Sequence, residues 1–431
     1  MFYVEGGNLV CLVDSLDNKL GMMVMILLQY FNAILIMLNL NHQGISSRQQ
    51  DYSGMNPDRS ISMMSADTSV FGTLPSELDR YYHYINLAAR AIYRNEFDQA
   101  AVYYDTAFMH KTHPFYVDLA NFVRVNYKCG RWEKNDSAIY RLMVEKHIDT
   151  ISLYLHIPKM WFSANNQKLI RKLCNRSKPL QKASLQVEET LRKFWEADQG
   201  VREYDKIPMM SREEIQAMYQ RRDSIDSIQV LSFIGMVHTF GFPDEEMLGV
   251  DYHDSLSWNS VLRVLLLHFL QAQDPAGRLE LIGIILDAVH SGAWSSSLAA
   301  SLLDYVNIRT GESLGMGQNF MYTSVYLVMG ELYRPFVFYT DSLMQMTNLN
   351  RMAVGLDSFH IAQKQAVCQY LASEKQPDKR DMVIMLPWAA YDELPPGLVR
   401  QSAKDANVDM ASYKINTSKI LEACRCEEKK W

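Results

Sequence analysis

Apolar side chains recur at three- and four-residue steps through most of the chain, and no stretch of comparable length shows the strict alternation of a strand. The pattern predicts an all-α protein. Helical spacing is clearest over residues 185–206, 212–235, 255–273, 276–291 and 295–305. Gly241 and Pro243, then Pro275 and Gly277, punctuate the gaps between these runs, because both residue types interrupt a periodic pattern. The short run 382–388 fits a strand or a buried extended piece, and the tail 373–431 mixes proline and charge with one expected final helix.

Winding these runs into helices turns several hydrophilic groups inward. Leu191, Phe194, Trp195, Asp198 and Arg202 share one face, so an acid and a base one turn apart stand among apolar residues. His268 lies in 261–270, a run apolar nearly all round and therefore a buried helix. Asp304, the glycine-spaced stretch 311–319 with Gln318, and Arg351 ahead of Gly355 extend the set. Buried charges must find partners, because even after relaxation an unpaired one costs several kcal/mol.

Two arrangements meet that demand. In the structural one, Asp198 and Arg202 form an ion pair, His268 bonds a carbonyl or carboxylate, and Arg351 caps the 311–319 loop. In the functional one they converge on a pocket, with His268 or Asp198 as general base and Arg202, Asp304, Gln318 and Arg351 binding a ligand. The second would make this a hydrolase-like or small-ligand-binding domain. Of the established catalytic signatures, H-E-x-x-H and G-x-x-x-x-G-K-[ST] are absent from the chain.

Towards the N-terminus, residues 20–40 form the longest apolar run, broken by Gly21, Gln29, Asn32 and Asn39. It approaches the roughly 20 residues of a membrane span, so residues 1–40 read as a leader or anchor that would place the protein at a membrane or outside the cell, with a buried extension of a cytoplasmic protein as the alternative. Residues 41–75, rich in Ser, Asn, Gln and Asp, read as a linker that cannot bury enough surface to order itself.

From residue 76 the chain repeats itself. Asn95 and Gly130, Phe97 and Trp132, Ala100 and Asn135, Tyr104 and Ile139, and Ala107 and Leu142 stand at the same spacing of 35. Each unit predicts a helix, a tight turn at Asn95 or Gly130, and a second helix opening on an aromatic. The turn, aromatic and alanine resemble the tetratricopeptide repeat over residues 76–180. That resemblance implies a stacked helical surface that binds a protein or peptide. Packing against the following helices is the alternative.

Composition narrows the partners. A net charge of −6 over 431 residues gives no electrostatic reason to expect nucleic acid; the lysines and arginines between Lys168 and Lys193 fit a solvated helix face. Six scattered cysteines do not make a disulfide framework. Cys424 and Cys426 would need two further ligands to hold a metal, so neither a metal nor another cofactor is expected.

Across the central region Asp198, Gln199 and Arg202, Gly241 to Pro243, His268, Asp304 to Val306, Gly315 to Gln318, and Asn350 to Leu356 resemble, in order and spacing, a bacterial family of uncharacterised helical proteins, domain of unknown function 6624. Tyr305 stands where that family has arginine, and Gly315-Met-Gly where it has Tyr-Gly-Thr. The resemblance implies a helical domain at 185–372 and no particular activity. The reading is therefore an interaction module fused to a helical domain.

Overall fold

The computed structural model describes residues 2–5, 8–11, 73–131, 134–148, 153, 170, 173, 182–202, 209–250, 257–310, 323–328, 331–333, 341–375 and 390–393. Helix dominates them, in line with the periodicity. Contacts divide the chain into two compact units, Met1–Ser65 with Ala197–Ser224, and Ala66–Glu196 with Ile225–Trp431.

In the first unit, β1 (Phe2–Glu5) pairs antiparallel with β2 (Asn8–Cys11), Phe2 opposite Cys11 and Glu5 opposite Asn8. The apolar run 20–40 and the linker 41–72 lie outside the described residues. Among the described residues no helix is long and apolar enough to cross a membrane.

In the second unit, α1 (Ser76–Tyr93) and α2 (Phe97–His110) form one hairpin. A second is formed by α3 (Tyr116–Lys128) and α4 (Asn135–Tyr140), the latter prolonged by a π turn, Arg141–Glu145. Asn95 (φ 57°) and Gly130 (φ 70°) both occupy the left-handed region that ends a helix and reverses the chain. The equivalent positions Ala100 and Asn135, Tyr104 and Ile139, and Ala107 and Leu142 are all buried. The 35-residue spacing thus marks two hairpins with matching turns and matching interior slots. Trp132 and most of 149–181 lie outside the described residues.

The following helices α5 (Lys182–Gly200), α6 (Arg212–Phe240), α8 (Trp258–Ala272), α9 (Pro275–His290) and α10 (Ser296–Thr310) keep close to their predicted spans, and a one-turn helix that periodicity did not predict, α7 (Glu245–Leu248), stands between α6 and α8. Side-chain caps fix three of the starts. Asp244 accepts from Glu246 N and Met247 N at 3.0 and 2.7 Å, Ser257 from Ser260 N at 3.2 Å, and Asp274 from Gly277 N at 2.8 Å, each satisfying donors a helix leaves open. Ser211 and Glu214 complete a capping box at the start of α6. The apolar stripes join one core, in which Leu191, Phe233, Leu265, Phe269 and Ile285 share a cluster with Tyr81, Ile85 and Leu119 of the hairpins.

A small sheet follows, which the all-α pattern did not include. Strand β3 (Thr323–Val328) lies between β4 (Glu331–Tyr333), antiparallel to it, and β5 (Ala390–Glu393), parallel to it. Strands of three to six residues are too short to register against the long helical periodicity around them. Between β4 and β5 in sequence come α11 (Asp341–Ala353) and α12 (Phe359–Lys375). The short run 382–388 and the rest of the tail beyond β5 are outside the described residues.

Candidate functional site

Of the residues singled out from the sequence, Asp198, Arg202, His268, Asp304 and Arg351 are buried inside the fold. In the first unit Asp198 and Arg202 are both buried, with Arg202 Nη1 2.6 Å from Asp198 Oδ1 and 3.0 Å from the Asp198 carbonyl oxygen. Gln199 Nε2 donates to the other carboxylate oxygen at 2.8 Å. This is the ion pair that helical spacing offers to residues four apart.

The other candidates belong to the second unit. His268 on α8 and Asp304 on α10 are buried on helices that pack against one another. Arg351, fully buried at the end of α11, donates from Nε to the Asp357 carbonyl oxygen at 2.5 Å. It therefore holds the turn leading into α12. The loop 311–319 with Gln318, which Arg351 was expected to cap, lies outside the described residues.

The same turn is gripped from α1. Arg90 binds the Asp357 carboxylate through Nη2 and, at 3.2 Å, through Nε. Asn86 Nδ2 donates to the Gly355 carbonyl oxygen at 3.0 Å, and Gln365 Nε2 lies 3.4 Å from Asp357 Oδ2. Gly355 (φ 78°) lies so close that a Cβ there would come within 2.6 Å of the Tyr82 ring. Tyr82, Asn86 and Arg90 are spaced four apart, so one face of α1 holds this turn.

A second constellation, missed in the sequence, surrounds α3. Asp118, Asn121, Arg124 and Asn126 are all buried on this one helix. The Tyr81 hydroxyl donates to Asp118 Oδ2 and accepts from Phe115 N at 3.4 Å. Lys146 and Glu245 form a buried ion pair at 3.4 Å. Glu245 also accepts from Tyr116 N at 2.9 Å and from Asn259 Nδ2 at 3.1 Å. Lys111 donates to the Gly292 carbonyl oxygen at 2.8 Å and sits 4.7 Å from the Phe115 ring centroid. Tyr82 Oη accepts from Ser296 N at 3.2 Å.

Burial sets the protonation of this cluster. It pushes the Asp118 carboxyl up to about 7; the Tyr81 hydrogen bond opposes the rise, Glu245 adds to it, and Lys111 and Lys146 oppose it. Burial also lowers Lys111, with Lys146 adding to the effect, and draws Arg124 down to about 10. Glu246 is raised by burial, while Lys146 and His113, whose Nδ1 is 3.3 Å away, pull it back. The one sequence signal for this cluster was the three-residue step linking Asp118, Asn121 and Arg124. An apolar neighbour at nearly every other position of α3 would have shown that the stripe faces inward.

Among the described residues no three His, Cys, Asp or Glu side chains stand close enough to hold a metal ion. The arrangement defines a predominantly helical protein whose paired hairpins enclose ionisable groups and grip a turn of the same chain. No family model, curated protein or solved structure matches it.

Proposed function

We propose that the chain is a helical-repeat interaction protein, in which tetratricopeptide-like hairpins at 76–180 carry the helical domain at 185–372 and offer an outer face to a protein partner. The observation that supports this reading is the recurrence, 35 residues apart, of a left-handed turn residue followed by matched buried slots. Units that repeat at such an interval use one face for their neighbours and another for recognition. The α1 face of Tyr82, Asn86 and Arg90 is filled by the 354–357 turn of the chain itself. Recognition therefore falls to the outside of α2, where Val102 and Met109, two turns apart, are 45% and 75% exposed. The ion pair at Asp198 and Arg202 and the bond from Arg351 to Asp357 favour structural roles over hydrolase-like ones. The resemblance to the bacterial helical family agrees with such a domain and adds no activity. A tether through residues 20–40 would hold the module at a membrane.

Affinity capture with the full chain tests this reading. A partner that binds the unaltered protein should be lost at least tenfold from Val102→Glu/Met109→Glu, with the melting temperature unchanged. If every captured protein is retained by the double variant, the outer face of α2 is not the recognition surface and the reading fails.

A further inference from the structure

The Tyr81–Asp118 contact connects the two hairpins through a fully buried pair, one member on α1 and the other on α3. The carboxylate is satisfied on one side only: Oδ2 accepts from Tyr81, while Oδ1 has no hydrogen-bond partner. Tyr82 from α1, Tyr104 from α2, Lys111 just beyond α2, Lys146 after the π turn and Glu245 from α7 are the titratable groups that face the pair. Both lysines are engaged elsewhere, Lys146 with Glu245 and Lys111 with the Gly292 carbonyl. Among the described residues an ionised Asp118 thus has one phenol donor and no ion-pair partner, and a buried charge in that condition is penalised.

We infer that Asp118 is a proton-operated latch between the hairpins: with a proton on its carboxyl the α1–α3 contact is closed, and loss of that proton leaves a poorly compensated anion there and loosens it. The latch is independent of any partner. Its sense follows from linkage. In water a carboxyl releases its proton near 3.8, whereas this one is held up to about 7, so the closed form retains a proton that the opened form gives up. Closure is therefore complete below the ordinary carboxylate range, weakens as pH rises towards about 7, and changes no further above it.

Hydrogen–deuterium exchange of residues 112–124 in the full chain, corrected for intrinsic rates between pH 5 and 9, reads this directly. Protection should fall by up to about tenfold per pH unit from 5 to 7 and then level off. Asp118→Asn, which mimics the protonated acid, should exceed the unaltered chain at pH 5 and by a wider margin at pH 8, and show a flat profile. Tyr81→Phe removes the donor that favours the ionised form and should move the levelling point to higher pH. A flat profile in the unaltered chain, or a slope that survives in Asp118→Asn, overturns the latch. Should Asp118→Asn not fold, an unmoved levelling point in Tyr81→Phe does the same.

Discussion

Two helices of the same core are buried to a similar degree and built on opposite terms. α8 presents Val261, Leu262, Leu265, Leu266, Phe269 and Leu270 to the interior, whereas α3 brings Asp118, Asn121, Arg124 and Asn126 with its apolar residues. Apolar burial stabilises without regard to direction, roughly in proportion to the area removed from water. Buried polar groups help only where a partner stands in the right place, and they penalise every arrangement in which it does not. The α8 region is thus the mass of the core, and the α3 region specifies how the hairpins meet what surrounds them.

The sharpest way to break that contrast is at the Lys146–Glu245 pair, both members of which are buried. Lys146→Met alone should cost about 3–5 kcal/mol in urea unfolding, because Glu245 is left charged and inside. Adding Glu245→Gln should restore most of the loss. A double variant as unstable as the single one would show that the pair matters by shape and not by charge. In the α8 region no second substitution should rescue the first. Phe269→Ala, which removes a ring centred 5.7 Å from that of Phe233 and 6.2 Å from that of Phe194, should cost a similar 3–5 kcal/mol through transfer and cavity.

A smaller effect is expected at Gly355. Its left-handed φ and the 2.6 Å approach of a Cβ to the Tyr82 ring, itself hydrogen-bonded to Ser296, should make Gly355→Ala cost about 2–3 kcal/mol. If the melting temperature is unchanged, the Tyr82 ring does not hold that turn against α1. The smallest concerns the hairpin turns: Gly130→Ala should cost about 1–2 kcal/mol, since the added Cβ resists the left-handed region, and Asn95→Ala less, since asparagine already carries a Cβ there. Melting temperatures unchanged in both variants would show that the left-handed turns do not fix the hairpins.

Much of the framework could be read from the residues. The spans of α6, α8, α9 and α10 follow apolar steps. The turns at Asn95 and Gly130 follow residue types that tolerate positive φ, and the ion pair at Asp198 and Arg202 follows the four-residue spacing. These are local features, fixed by side chains within one or two turns. The strands β3 to β5 were missed because they are short and one of their pairings joins residues more than sixty apart, Thr323 with Ala390. The cluster around Asp118 was missed because its partners come from α1, α7 and the segments after α2 and the π turn, and periodicity along a single helix carries no information about them.

What the sequence by itself determined is where helices begin, which face of each is apolar and where the repeat turns fall, since each depends on neighbours in the chain and on the fixed pitch of the helix. Only the tertiary structure decided that Arg90 holds Asp357, that Tyr81 meets Asp118 and that Lys146 meets Glu245. Those partners lie between 37 and 267 positions apart, and the free energy that pairs buried polar groups depends on distance in space, which the order of residues does not encode.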